Sequence, residues 1–177
     1  KMERKMVSTR LRKRFQEKGQ GMVEFALPFP IFLMLVYGIF EVGRMIFMYS
    51  AVLNASRDAA RYAAAADAVM ANDSTYTEYY IDCEGIRARA TNVSAIADLS
   101  ASDAIKIRYD KGPGTDPIAT SCEALRSSGT ALELGDRIIV TVSTTFNPVV
   151  PLLNFSNIPI SSTTERSIVT GMNIWEP

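Results

Sequence analysis

The stretch Met22–Tyr49, MVEFALPFPIFLMLVYGIFEVGRMIFMY, decides the fold. It is apolar except at Glu24, Glu41 and Arg44, and its charge-free run Phe25–Phe40 covers 16 residues. As a helix that run is about 24 Å long, just short of a hydrocarbon core of roughly 30 Å. Glu41 and Arg44 stand three residues apart on one helical face, where they neutralise each other, so the segment is long enough to span a bilayer with that pair near an interface. Pro28 and Pro30 each remove a backbone donor and crowd the carbonyl four residues back, which predicts a bend between Glu24 and Ile31 rather than an end. Gly38 and Gly43 admit close helix approach, although their spacing is not that of a G-x-x-x-G motif.

Downstream, AVLNASRDAARYAAAADAV has neither Gly nor Pro and carries Arg57, Asp58 and Arg61 at helix-face spacing. The helix is therefore predicted to continue to about Val69. From Met22 that is about 70 Å, too long for a globular helix, and it points to a shared, bundled core. The small residues Ala51, Ala55, Ala59, Ala60 and Ala63–Ala66 are read as a surface for tight packing between copies.

Upstream, the charge is lopsided. The 177 residues carry 19 basic and 19 acidic side chains, but residues 1–19 hold eight bases against two acids, a surplus of +6, and the other 11 bases and 17 acids leave −6. A basic tail before an apolar span predicts an amino end kept in the cytoplasm and everything after Tyr49 outside. A secretory signal peptide shares this plan, but the apolar run is longer than such a peptide needs and no convincing small-x-small cleavage site follows it. A nucleic-acid-binding arm would not run straight into a membrane-length helix, so no nucleic-acid partner is expected.

Composition excludes much chemistry. Without histidine there is no Ser-His-Asp or Cys-His catalysis and no His-ligated zinc; two cysteines cannot build a Cys-rich zinc site; and the Gly-rich nucleotide cradles are absent. No catalytic, cofactor-binding or metal-binding residues are assigned, no cofactor is expected, and the chain is read as a non-enzyme. The acids Asp67, Asp73, Glu78, Asp82 and Glu84, and likewise Asp110 and Asp116, lack EF-hand spacing and read as solvated charge. Tyr76, Tyr79 and Tyr80 with Trp175 are read as core aromatics sooner than as an exposed binding surface.

The remainder reads as a small α+β domain over residues 70–177. A helix is expected from about Glu78 to Asp98, weakened by Gly85. Ile105, Ile107 and Tyr109 alternate with Lys106 and Arg108 as in a strand, and KGPGTDP supplies a turn. In Asp136–Phe146, Ile138, Val140, Val142, Thr144 and Phe146 line one strand face; Ile160–Thr170 reads as another strand, and the Pro-rich NPVVPLLNFSNIP between them as a packed crossover. The fold class is α+β: a long amino-terminal hydrophobic helix over residues 20–69, then an antiparallel sheet packed on helix. Cys83 and Cys122, on the side read as external, are expected to pair across 38 intervening residues, contributing about 3 to 4 kcal/mol by loop closure; two buried free thiols are the alternative.

At the junction of tail and apolar run stands Lys18-Gly19-Gln20-Gly21-Met22-Val23-Glu24-Phe25. This resembles the processing site of class 3 prepilins and pseudopilins, and most closely the TadE-like minor pilins of the tight-adherence pilus, within the type IV filament superfamily. The resembling elements are Gly19–Leu27 with Pro30, Gly38–Arg44, Asn54–Ala64, and later Val140, Val142, Phe146, Pro148, Pro151, Leu152 and Leu153. The resemblance implies a pilin-like filament subunit whose partners are copies of itself or other pilins, the cytoplasmic membrane before assembly, and a prepilin peptidase acting between Gly19 and Gln20. It further implies that Glu24, costly alone in hydrocarbon, pairs with the α-amino group of a neighbour's Gln20; the bland alternative is a carboxylate snorkelling beside Lys18. Should the leader 1–19 stay attached, its eight bases would meet the −6 remainder instead. Glu24, Glu41 and Arg44 are the expected assembly residues. The rival reading is a monomeric, signal-anchored surface module for binding or adhesion.

Overall fold

The computed structural model describes residues 21–65, 68–70, 76–94, 97–149 and 157–169. The leader, the processing site Gly19–Gln20, the middle of the Pro-rich crossover and Trp175 lie outside the described residues. The chain forms two compact units that divide between Arg44 and Met45.

In the first unit, residues 21–26 are helical, a turn occupies Leu27–Pro28, and the helix α1, Phe29–Ala63, begins. The interruption falls where expected, because Pro28 and Pro30 cannot donate to the carbonyls of Glu24 and Ala26. Phe32 N–H restarts the ladder on Pro28 O at 3.0 Å. The Phe25 and Phe29 rings meet across the turn at 5.3 Å.

The second unit contains the rest of α1, where one face is buried at Met48, Val52, Ala55, Ser56, Ala59, Ala60 and Ala63. These positions recur at the three-to-four residue period of a helix face. They pack in one core with the inward side of a four-stranded antiparallel sheet of order β4–β3–β5–β6, made of β3 Ile105–Asp110, β4 Pro117–Ala119, β5 Arg137–Phe146 and β6 Ile158–Ser167. Ile107 faces Val140, which faces Thr164; Ile105 faces Val142, which faces Ser162. Small side chains let helix and sheet backbones approach. The buried Ser56 hydroxyl fixes their register, at 3.0 Å from Ser162 Oγ, 2.9 Å from Thr164 Oγ1 and 3.0 Å from the Leu53 carbonyl. Thus Ala55, Ala59, Ala60 and Ala63 are spent inside their own domain, and for these four the expectation of packing between copies is corrected, because they face the inward side of the sheet; Ala51, Ala64 and Ala65 stay half-buried and Ala66 lies outside the described residues.

The helix ends at Ala63, short of Val69. Ala65 N–H closes a tight turn on Tyr62 O at 3.2 Å, and Ala68–Met70 (β1) pairs antiparallel with Tyr76–Glu78 (β2). Two extended segments that satisfy each other's backbone outcompete the helix propensity of an alanine run at its frayed end. The helix expected over Glu78–Asp98 is a 3₁₀ turn, Tyr79–Ile81, followed by α2, Cys83–Val93. A short helix α3, Cys122–Ser128, carries Ser121 as its amino-terminal cap, accepting from Ala124 N–H at 3.1 Å, and Gly129 in the left-handed region (φ 65°) as its stop.

Cys83 and Cys122 form a disulfide joining the first residues of α2 and α3. Arg87 and Glu123 pair beside it at 2.6 Å. Asp82 caps α2, its carboxylate taking Gly85 N–H at 3.0 Å and the Tyr62 hydroxyl at 2.6 Å, which ties the end of α1 to α2. Glycine at 85 is therefore required by space: a Cβ there would meet Asp82 Oδ2 at 2.0 Å and Tyr62 Oη at 2.6 Å. Gly85→Ala, which would help an isolated helix, is expected to lower stability by about 1–3 kcal/mol through the displaced cap, seen as a fall in melting temperature; an unchanged or raised value would contradict this geometry.

Candidate assembly surface

In the first unit the surface is almost wholly apolar. Between Met22 and Phe40 every large hydrophobic side chain is exposed, and Phe25, Leu27, Ile31, Ile39 and Phe40 each expose about two thirds or more of their area. Residues 21–63 hold a helix long and apolar enough to cross a membrane, and its most apolar window has no buried residue. Gly38 and Gly43 open onto free space, so a partner helix meets no Cβ there.

Polar groups on this helix are gathered rather than scattered. The Arg44 guanidinium reaches Glu41 Oε2 with Nε at 3.2 Å and Nη2 at 3.0 Å, and the Tyr37 hydroxyl donates to Glu41 Oε1. The Glu41 side chain is only 12% exposed, with Tyr37 and Arg44 among its partners. The three residues span positions i, i+4 and i+7, one face, and gather two opposite charges and a hydroxyl into one cluster. Reading the sequence paired Glu41 with Arg44 and missed Tyr37, whose signal was its four-residue spacing from Glu41. Glu24 stands exposed on the helical run 21–26.

In the second unit two of the acids expected to be solvated charge, Asp82 and Asp110, are instead engaged in the fold, while Asp67 and Asp73 lie outside the described residues. Asp82 caps α2; Asp110 takes a bidentate fork from Arg137, Nε to Oδ1 at 2.8 Å and Nη2 to Oδ2 at 2.9 Å, while Arg137 Nη1 reaches Glu165 at 2.6 Å. This ties three strands across the outward face of the sheet and raises the Arg137 pKa, chiefly through the Asp110 bonds. Arg87 holds Glu123 below the usual carboxylate range through its hydrogen bond. Of the tyrosines expected in the core, Tyr80 is buried and accepts at its carbonyl from the buried Tyr109 hydroxyl, and Tyr79 meets Tyr62 edge to face at 4.7 Å, with the Arg89 guanidinium 5.2 Å from the Tyr62 ring centre; the Tyr76 side chain lies outside what is described.

Burial, aided by the bond to Asp82, pushes the Tyr62 hydroxyl well above its ordinary pKa; burial and Glu78 push Tyr80 up to about 12; burial raises Tyr109 as well. Because the folded state keeps these phenols protonated, their contribution is intact below the ordinary tyrosine pKa of about 10 and is lost as pH rises beyond it. Tyrosinate absorbance during alkaline titration is expected to show three late-ionising groups, with stability falling only above about pH 10; simultaneous titration of all tyrosines in a folded protein would contradict it. For the helix cluster, Glu41→Leu alone, which removes the carboxylate that Arg44 holds at 3.0 Å within an apolar segment, should reduce membrane-inserted protein by insertion costs of up to about 2–3 kcal/mol, whereas Glu41→Leu with Arg44→Leu should restore it. Fractionation of membranes checks this, and equal loss in both variants would count against the paired cluster.

Residues 19–61 match the family model described as TadE-like protein. The match covers the apolar helix, the Tyr37–Glu41–Arg44 cluster and nearly all of the small-residue face of α1. No curated protein and no solved structure matches the chain.

Proposed function

We propose that this chain, with its TadE-like segment at residues 19–61, is a structural subunit of an extracellular filament of the tight-adherence type, assembled through its amino-terminal helix. A TadE-like segment joined to an apolar helix fits a pilus-associated, membrane-anchored protein. The finer reading rests on one observation: the helix bares large apolar side chains from Met22 to Phe40, while its continuation from Met45 increasingly packs into a disulfide-bonded domain. Apolar surface of that extent needs lipid before assembly and neighbouring helices after it, at roughly 25 cal/mol for each Å² that would otherwise meet water.

In this reading the basic residues 1–19 face the cytoplasm, the domain beyond Tyr49 faces outward, and the partners are copies of the chain or other pilins. Gly19–Gln20 is the peptidase site. Glu24 is the assembly carboxylate, answering either a neighbour's freed amine at Gln20 or, with the leader retained, its bases. Glu41 and Arg44 serve assembly indirectly, as a self-cancelling pair that lets the helix pass between lipid and protein. The role is structural, without an enzymatic reaction.

Glu24→Leu is expected to leave membrane insertion intact and to abolish or strongly reduce sheared extracellular fibres. Normal fibre yield from this variant would refute the role of Glu24. A wild-type chain that stays wholly with membranes as a monomer would instead favour an anchored surface module. Amino-terminal sequencing of fibres, starting at Gln20 or within the leader, separates the two leader states.

A further inference from the structure

Along β6 the side chains on the inward face of the sheet are those of Ile158, Ile160, Ser162, Thr164 and Arg166. Isoleucine, serine and threonine meet the core or Ser56, but Arg166 is exposed. It lines a depression of about 610 Å³ with Arg57 and Arg61, one turn apart on α1, and with Asn54, Asp58 and Val93. Three guanidiniums and one carboxylate give this spot a charge of +2, within a unit whose residues 45–177 hold ten bases against fifteen acids. The neighbouring arginines are engaged, Arg87 on Glu123 and Arg137 on Asp110 and Glu165. Among the described residues Arg57, Arg61 and Arg166 join no ion pair. Gathering like charges on one concave surface is unfavourable unless carboxylates arrive, and a guanidinium fork is shaped to take them.

The same unit carries the complementary feature elsewhere. A depression of about 490 Å³ between Met48 of α1, the end of β5 and Pro159 exposes Asp98 and Asp103, a charge of −2. Asp98 is held ionised by the Ser100 hydroxyl and N–H, at 2.6 and 3.0 Å. The two depressions are separated along α1 by the interval from Met48 to Arg57 and Arg61, about 14–20 Å at the helical rise, and along β6 by the interval from Pro159 to Arg166, about 23 Å at the strand rise.

We propose that the Arg57–Arg61–Arg166 depression is a docking surface for a second copy of this chain, which offers the carboxylates of Asp98 and Asp103. The inference rests on the filament reading above, since exposed ion pairs are weak singly and act here because the packed helices already hold the copies close. Copies that all point the same way in a filament, as the filament reading requires, cannot pair opposite charges reciprocally across a two-fold axis. They make a head-to-tail contact, in which each copy receives at one end and gives at the other, and such a contact propagates. It also resolves a difficulty of crowding: domains with an excess of acids repel unless acids on one meet bases on the next.

The test uses the full chain in assembling cells. Arg61→Cys and Asp103→Cys copies are co-expressed and sheared fibres are oxidised mildly; a cross-linked dimer holding one of each is expected, absent when either is expressed alone, with the Cys83–Cys122 bridge intact. Arg57→Glu with Arg61→Glu should lower fibre yield about tenfold at an unchanged membrane level, by placing acid against acid. Adding Asp103→Arg to Arg61→Glu should recover most of the loss seen with Arg61→Glu alone. Wild-type yield from Arg57→Glu with Arg61→Glu, or cross-linking of position 61 to another protein or another position, overturns the docking surface and leaves the filament reading standing. Absence of fibres from the wild-type chain overturns both.

Discussion

The close contact between α1 and the β5–β6 face is the constraint on which the domain depends. Ala55, Ala59, Ala60 and Ala63 remove side-chain bulk from the helix, and the β-branched and hydroxyl-bearing positions of β5 and β6 fill what is left. Within that apolar contact Ser56 has every hydrogen-bonding need met by Ser162, Thr164 and Leu53. A buried hydroxyl with matched partners fixes one register, because a slip would leave several polar groups unsatisfied at about 1–3 kcal/mol each. Larger residues on this helix face would force the sheet away and open the core to water.

The rest of the domain locks onto that contact. Tyr62, one turn beyond Asp58, reaches Asp82, which caps α2; Cys83 begins α2 and bonds to the start of α3; and Arg87 pairs with Glu123 across the same two helices. Each link fixes the next, so the short helices, of eleven and seven residues, need no large apolar faces of their own. On the far side of the sheet, Arg137 joins β3, β5 and β6 through two carboxylates. The sheet is thus apolar toward α1 and ionic toward the outside.

Much of this was legible before the fold was known, wherever a periodicity carried the information. Met22–Tyr49 reads as a long apolar helix from composition alone, and its proline break from the missing donors of Pro28 and Pro30. The alternation at Ile105–Tyr109 and Ile138–Phe146 located the two central strands, and Cys83–Cys122 formed the expected bridge. What escaped was decided by tertiary contact. An alanine run favours helix everywhere, so only pairing with Tyr76–Glu78 could stop it at Ala63. Gly85 lowered helix expectation at a place where it is inside α2, because the reason for glycine is the Asp82 cap and the Tyr62 hydroxyl it holds, the latter twenty-three residues away in sequence. The alanine face was visible, but not its partner; an alanine stripe looks the same whether it meets a neighbour's helix or its own sheet.

That last ambiguity bears on how the assembly proposed above would be driven. Lipid tails are about as apolar as leucine, so moving the Met22–Phe47 surface from bilayer to a bundle of like helices gains little from hydrophobicity as such. The choice between the two environments must then fall on packing detail and polar groups. Glu41 and Arg44 cancel within the chain and weigh nearly the same in both. Small-residue packing is spent inside the domain, apart from Gly38 and Gly43. In the proposed filament, what distinguishes a neighbour from lipid is therefore concentrated at Glu24 and on the charged surface of the domain. A helix so uniformly apolar holds copies at high local concentration, and a few polar contacts, each too weak to assemble free domains in water, can then select the filament.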